Sequence, residues 1–169
     1  LTTMAGALGA DVPVFLLDAT AAVGTARGDV LTPLHGTPSL TLVIAVPPFS
    51  LPAKTGRIFS ALRPGEFSDG ARTADITRVL RRGETPQAHH LWNGLFPAAK
   101  RAFADLGSYH SALCRLSGRV WTLSGAGPAL FHLAADEEEA ALVARSVASL
   151  PGTCLVVPSA PRFRCQHLD

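Results

Sequence analysis

The sequence predicts an α+β fold in which an incomplete, strand-containing segment precedes a ferredoxin-like domain with the split β-α-β arrangement. Three observations predict the second domain. An apolar run over 40–46 ends at two prolines, which is typical of a buried strand. Strand-like runs over 120–123 and 129–133 flank a glycine-rich turn. The acidic stretch 136–139 predicts the start of a helix, and a closing strand follows over 154–157.

The connections of this domain follow from local patterns. Asp136 and Glu139 are spaced as in a capping box, and the acidic first turn complements the helix dipole. The long segment after the first strand has the apolar spacing of helices. We expect helices over 55–62 and 73–82, one from Pro97 to a stop at Gly107, and one over 109–116 that ends at Gly118. The order is strand, helices, strand, strand, helix, strand, as in the ferredoxin-like fold.

The first 34 residues have a different pattern. Residues 1–8 predict the last turns of a helix that ends at Gly9, and a short apolar strand is expected after Asp11. The runs 19–25 and 29–34 flank a glycine turn and predict a strand pair. These elements are too few to close a sheet, so we expect them to be the end of a domain that begins before residue 1.

Composition and charge exclude several classes of protein. The 169 residues are 47% hydrophobic and 17% charged with a net charge of +2, which favours a globular domain and gives no indication of a nucleic-acid or membrane partner. No apolar run approaches the roughly 20 residues of a membrane span. Cys114, Cys154 and Cys165 are odd in number and widely spaced, which predicts neither a zinc site nor a disulfide framework. We expect a cytoplasmic protein with reduced thiols.

Asp11 is the first candidate for chemistry. It stands in the run Gly-Ala-Asp-Val-Pro over 9–13, between a helix-ending glycine and an expected strand. A carboxylate fixed in this way can act as a general base in a cleft. The alternative is an aspartate that only hydrogen-bonds its own turn.

The second candidate is the glycine-rich turn formed by Ser124, Gly125, Ala126, Gly127 and Pro128. Two glycines allow the backbone to approach a ligand and to direct amides at an anion. The alternative is a hairpin turn in which glycine supplies positive φ angles. The dinucleotide fingerprint and the Walker-type phosphate loop are absent from the sequence, and no histidine partner for Ser124 is identifiable, so a hydrolase triad has no support.

Thr55 and Phe59 form the third candidate, just after the proline-rich end of the first predicted strand. An aromatic ring on a helix can stack on a flat ligand such as a base. The alternative is an ordinary core phenylalanine. Histidine, aspartate and glutamate show no spacing typical of metal ligands, so no metal-binding residue is predicted.

Together these motifs resemble the galactokinase–homoserine–mevalonate–phosphomevalonate (GHMP) kinase superfamily, and in particular its CDP-methylerythritol (CDP-ME) kinases. Residues 8–15 are similar to the stretch that carries the catalytic aspartate, and residues 28–34 to the strand that follows it. Thr55 and Phe59 match a helix start of that family, and residues 124–131 match the third glycine-rich motif. Asn93-Gly94-Leu95 departs from the usual Asn-Asp-Leu.

The resemblance implies roles for these residues. Asp11 would orient or deprotonate the substrate hydroxyl for attack on ATP. Thr55 and Phe59 would bind the substrate, with the Phe59 ring on the cytosine, and Ser124, Gly125 and Gly127 would shape the floor of the active site. ATP and Mg²⁺ would be required, with most of their ligands in a preceding segment.

The resemblance also implies a domain division and a function. Residues 1–38 would be the incomplete C-terminal end of the N-terminal, ATP-binding GHMP domain, and residues 39–169 the C-terminal domain. The expected activity is ATP-dependent phosphorylation of CDP-ME in non-mevalonate isoprenoid precursor biosynthesis, with a small-molecule substrate and no nucleic-acid or membrane partner. Two alternatives are open: a sister kinase of the homoserine or mevalonate type, and a non-catalytic ferredoxin-like binding module.

Overall fold

A computed structural model of the chain describes residues 4–5, 7, 9, 12–17, 19–26 and 28–159. Within these residues the strands are β1 (Ala21–Thr25), β2 (Val30–Leu34), β3 (Thr41–Val46), β4 (Thr122–Leu123), β5 (Leu130–Ala134) and β6 (Thr153–Pro158). The α-helices are α1 (Lys54–Ser60), α2 (Ala71–Arg81), α3 (Phe96–Ala102), α4 (Leu106–Ser117) and α5 (Glu137–Ser146). The described residues divide into two units, one with those up to 39 and 73–86, the other with 40–72 and 87–159.

In the first unit, β1 and β2 pair antiparallel, with Ala21 opposite Leu34 and Thr25 opposite Val30. The predicted strand pair is confirmed. The strand expected after Asp11 is wrong, because Val12–Leu16 is a 3₁₀ helix. Proline at its second position has no N–H for a ladder and a φ that suits a helical turn, which accounts for the difference.

The second unit contains a four-stranded antiparallel sheet in the order β4-β5-β3-β6. Val43 of β3 lies opposite His132 of β5 on one side and Val156 of β6 on the other. Counted from β3, the strands take the spatial order 2-3-1-4, read in reverse as 4-1-3-2, which is the ferredoxin-like order. The predicted arrangement of this domain is therefore confirmed.

The core of this unit is formed in part by alternate residues of the strands. Val43 and Ala45 of β3 are buried, as are Leu130 and Ala134 of β5, because every second residue points to the same face of the sheet. Apolar residues of the helices complete the core: Ile58, Ala98, Ala99, Leu106, Leu113, Ala140 and Val143. Helices α1, α3, α4 and α5 thus all contribute to one cluster.

Two helix ends of this unit are expected at glycines, and the structure confirms one of them and not the other. Gly118 ends α4 in the left-handed conformation with φ 64°, as predicted. Gly107 does not stop a helix, since α3 ends at Ala102 and Gly107 is the second residue of α4. The conformational cost of glycine applies mainly to helix interiors, and Gly107 lies in the first turn of α4, where it does not prevent the helix.

The start of α5 is a two-sided cap. The Asp136 carboxylate accepts a hydrogen bond from Glu139 N at 2.8 Å, and Glu139 Oε2 accepts one from Ala135 N at 2.7 Å. Glu139 Oε1 also pairs with Arg119 Nε at 2.7 Å. The predicted capping interaction is confirmed. The hydrogen bond from Ala135 and the charge of Arg119 lower the pKa of Glu139, against burial, which raises it.

We expect Glu139→Gln to lower the free energy of unfolding by about 1 kcal/mol at neutral pH. Because the pKa of Glu139 lies below its ordinary value of 4.5, the carboxylate stabilises the fold above that pH and loses this effect as the pH falls and it protonates. The difference between variant and unchanged chain should therefore shrink in acid. Urea unfolding at several pH values measures it, with Glu138→Gln as the control that removes an equal charge from the same turn.

Candidate active site

The glycine-rich turn connects β4 to β5 and is closed by two backbone hydrogen bonds. Ser124 N donates to Ala129 O at 2.9 Å, and Gly127 N donates to Ser124 O at 2.8 Å. Gly125 and Gly127 have φ of 52° and 72°. A Cβ atom on Gly127 would also lie 2.7 Å from Leu123 Cδ1. The hairpin interpretation, in which glycine supplies positive φ, therefore holds for this turn, and it leaves a role in binding open.

Asn93 braces the turn from a distant loop. Its Nδ2 donates to Leu123 O at 2.9 Å and to Gly125 O at 2.8 Å, and its Oδ1 accepts from Leu95 N at 2.8 Å. Sequence reasoning noted Asn93 only as part of a motif that departs from the family. An asparagine before glycine is a common turn signal, and this local pattern contains nothing that points to a contact 30 residues away.

Lys54 makes a second contact with the turn. Its Nζ donates a hydrogen bond to Gly127 O, across 73 residues of sequence. Lys54 is the first residue of α1, so this bond fixes the N-terminal end of α1 beside the glycine-rich turn. Sequence reasoning missed Lys54, because an isolated lysine at a helix start is usually a solvated surface residue.

The hydrogen bonds of the turn are unevenly distributed. The carbonyl oxygens of residues 123, 124, 125 and 127 all accept bonds. Within the described residues, the N–H groups of Gly125 and Ala126 donate none, and the exposed Ser124 hydroxyl makes none. Two adjacent free N–H groups form an arrangement that can bind an anion such as a phosphate oxygen.

Thr55 and Phe59 lie four residues apart on α1 and so share one face of the helix. Both are exposed, and the Phe59 side chain has 56% of its surface in contact with solvent. The core interpretation of Phe59 is therefore wrong. Ile58 next to it is fully buried and takes the place in the core. An exposed ring beside exposed polar residues is available to a ligand.

Arg101 of α3 holds the C-terminal end of α1. Its Nη2 donates to Ala61 O at 2.6 Å, and its two Nη atoms bind the Glu66 carboxylate at 2.6 and 2.7 Å. Glu66 also accepts a hydrogen bond from Arg63 N at 2.9 Å. These two donors, Arg101 first, lower the pKa of Glu66 to about 2. Lys54 and Arg101 thus anchor α1 at its two ends.

Asp11 lies outside the described residues, and its role stays a prediction. The other predicted site residues, Thr55, Phe59, Ser124, Gly125 and Gly127, belong to the same unit. The ring nitrogens of His110 and His132 bond to backbone carbonyls, and neither bonds to Ser124. A hydrolase triad at Ser124 thus has no support in the described part of the chain.

The described residues do not supply a magnesium site. Among them, no group of three or more histidine, cysteine, aspartate and glutamate side chains is placed to hold a metal ion. The described part of the chain therefore does not fit the Mg²⁺ that the family resemblance implies. Nor does any helix within the described ranges have the length and apolar character needed to cross a membrane.

We expect Arg101→Met to raise the pKa of Glu66 from about 2 toward its ordinary value of 4.5, because the strongest donors to the charged carboxylate are lost. The hydrogen bond from Arg63 N should keep it somewhat below 4.5. A carbon-13 NMR titration of the Glu66 carboxyl group measures this pKa. Arg78→Met, which removes an exposed pair with Asp75, is the control. An unchanged Glu66 pKa in Arg101→Met would contradict the described anchor of α1.

The chain is similar in sequence to known proteins. No family model matches the chain. It is 31% identical to the 4-diphosphocytidyl-2-C-methyl-D-erythritol kinase of Pelotomaculum thermopropionicum over 145 residues, which are 85% of this chain and 50% of that protein. The kinase of the same name from Thermus thermophilus is 33% identical over 147 residues, 87% of this chain and 51% of that protein. The chain thus spans about half the length of the curated relatives it matches.

Solved structures agree with the sequence relatives. A crystal structure of 4-(cytidine 5'-diphospho)-2C-methyl-D-erythritol kinase matches with a TM-score of 0.74 and 31% identity, over 93% of this chain and 56% of that chain. Homoserine kinase from Cytophaga hutchinsonii matches with a TM-score of 0.59 and 14% identity, over 90% and 52% of the two chains, which shows a shared fold alone. The chain is a homologue of the CDP-ME kinases and has the fold of the GHMP kinase superfamily.

Proposed function

We propose that the protein containing this chain phosphorylates the hydroxyl group of CDP-ME with ATP, in the formation of isoprenoid precursors. The observation that carries the proposal is the hydrogen bond from Lys54 to Gly127 O, since it fixes α1, with Thr55 and Phe59, beside the glycine-rich turn. One unit thus combines an exposed aromatic ring with free backbone amides. The names of the sequence relatives support this assignment.

The proposed chemistry needs little from the protein beyond positioning and charge. Phosphoryl transfer depends on the alignment of the attacking oxygen and on stabilisation of the phosphoryl oxygens. Asp11 is proposed to orient or deprotonate the substrate hydroxyl, and the free N–H groups of Gly125 and Ala126 to bind a phosphate oxygen. Because the chain spans half the length of its relatives, we expect turnover to need residues outside it, including those that hold Mg²⁺.

Phe59 favours a cytidylyl substrate over the other small alcohols. Homoserine and mevalonate have no ring on which an aromatic side chain can stack, whereas cytosine does. The Phe59 ring has 56% of its surface exposed, so it is accessible to such a base. The exposed ring on α1 therefore supports the CDP-ME assignment within the superfamily.

We expect Phe59→Ala in the full-length protein to raise KM for CDP-ME by about 5- to 150-fold, because base stacking contributes about 1–3 kcal/mol. The kcat should change much less, since the ring lies on the substrate and not on the reacting atoms. Steady-state assays of ADP release measure both. Phe67→Ala, which removes another exposed ring, is the control. Equal KM values in Phe59→Ala and the unchanged protein, or turnover of homoserine or mevalonate instead, would refute the cytidylyl assignment.

We expect Asp11→Asn in the full-length protein to lower kcat by at least about 100-fold, because the amide cannot accept the proton of the substrate hydroxyl. Binding of CDP-ME, measured by calorimetry, should stay within about threefold of the unchanged protein. Asp105→Asn, an exposed carboxylate at the start of α4 without a capping bond, is the control. Full activity of Asp11→Asn would remove the proposed base, and absence of any alcohol kinase activity in the unchanged protein would favour a binding module.

A further inference from the structure

We propose that Asn93 and Lys54 are positioning residues, which hold the carbonyl groups of the glycine-rich turn so that the N–H groups of Gly125 and Ala126 stay free for a phosphate oxygen. The identity of that phosphate rests on the proposed kinase function. The bracing of the turn rests only on the hydrogen bonds of the described residues. Neither residue has to touch substrate.

The orientation of the Asn93 side chain is determined by its three contacts. Its Oδ1 accepts from Leu95 N at 2.8 Å, so its Nδ2 faces the carbonyls of Leu123 and Gly125 at 2.9 and 2.8 Å. A primary amide has two N–H hydrogens, and one is available for each carbonyl. The reversed side chain would place an oxygen against both carbonyl oxygens, so the contacts permit one orientation only.

The geometry of the peptide bond determines where the free N–H groups point once the carbonyl groups are held. In a planar trans peptide, the C=O of one residue and the N–H of the next point in opposite directions. Asn93 holds Gly125 O, so Ala126 N–H points away from Asn93. Ser124 O accepts from Gly127 N inside the turn, so Gly125 N–H points to the outside of the turn. Two adjacent N–H groups are thereby kept from bonding within the turn.

Lys54 closes the other end of the turn. Its ammonium group donates to Gly127 O, a charge-assisted bond stronger than one between neutral groups. The next residue, Pro128, has no N–H, so the peptide group that contains Gly127 O contributes no donor to the turn. One of three ammonium hydrogens is used in this bond, and the charge adds a positive potential next to the free N–H groups.

Asn93→Asp is the substitution that tests the hydrogen bonds of Asn93 with the least change of shape. The carboxylate keeps an acceptor for Leu95 N and nearly the same shape, but it places a negative oxygen where Nδ2 meets two carbonyl oxygens. Gln87→Glu makes the same amide-to-carboxylate change at an exposed residue and is the matched control. Asn93→Ala removes the donors without adding charge, which separates loss of the brace from repulsion of an anion.

The first measurement is binding of inorganic pyrophosphate to the 169-residue chain, followed by nitrogen-15 NMR. We expect pyrophosphate to shift the Gly125 and Ala126 amide signals in the unchanged chain. In Asn93→Asp and Asn93→Ala its Kd should rise at least about tenfold, as expected for loss of hydrogen bonds to a charged group. Lys54→Met should weaken binding in the same direction, whereas Lys100→Met and Gln87→Glu should not. The indole signal of the buried Trp121 reports whether each variant is folded.

The second measurement is kinetic and uses the full-length protein. We expect Asn93→Ala to lower kcat by about 10- to 100-fold with KM for CDP-ME within about threefold, because the turn that loses its brace is the one proposed to bind a phosphate oxygen during transfer. A merely structural role would instead lower the fraction of folded protein and leave kcat per folded molecule unchanged.

The results separate this inference from the proposed function. Pyrophosphate shifts that respond to Asn93 and Lys54 in a protein that phosphorylates no alcohol would support the positioning roles and overturn the kinase assignment. CDP-ME kinase activity that is equal in Asn93→Ala and the unchanged protein would support the assignment and overturn the inference. Absence of any pyrophosphate shift at Gly125 and Ala126 would also overturn it.

Discussion

The glycine-rich turn between β4 and β5 is the feature on which the candidate site depends, and it is held by hydrogen bonds from outside itself. Glycine makes the turn possible at φ of 52° and 72°, but glycine alone leaves the backbone free to adopt other conformations. Asn93 and Lys54 remove that freedom by binding the carbonyls of residues 123, 125 and 127.

The fold brings these braces to the turn through the long connection between β3 and β4. α1 begins with Lys54, after the short loop that follows β3, and its buried Ile58 anchors it in the core. Arg101 of α3 binds the far end of α1 at Ala61 O. The loop with Asn93 immediately precedes α3. Helix α1 and the loop with Asn93 thus hold the exposed ring of Phe59 and the glycine-rich turn with respect to each other.

The sheet could be predicted from sequence because its signals are local. Apolar runs, the acidic cap at Asp136 and the glycine at 118 predict strand order and helix ends from neighbouring residues. The braces could not, since Lys54 and Asn93 act over 73 and 30 residues. The exposure of Phe59 was also beyond reach, because Ile58 and Phe59 are both apolar and only the position of the helix decides which one is buried.

The most direct test of the account is a crystal structure of the full-length protein with cytidine 5'-diphosphate and a non-hydrolysable ATP analogue. We expect the cytosine ring to stack on Phe59 with ring centroids about 4–6 Å apart. We also expect a phosphate oxygen about 3 Å from the backbone nitrogens of Gly125 and Ala126. A cytosine bound elsewhere, with the Phe59 ring and the turn both facing empty solvent, would contradict it.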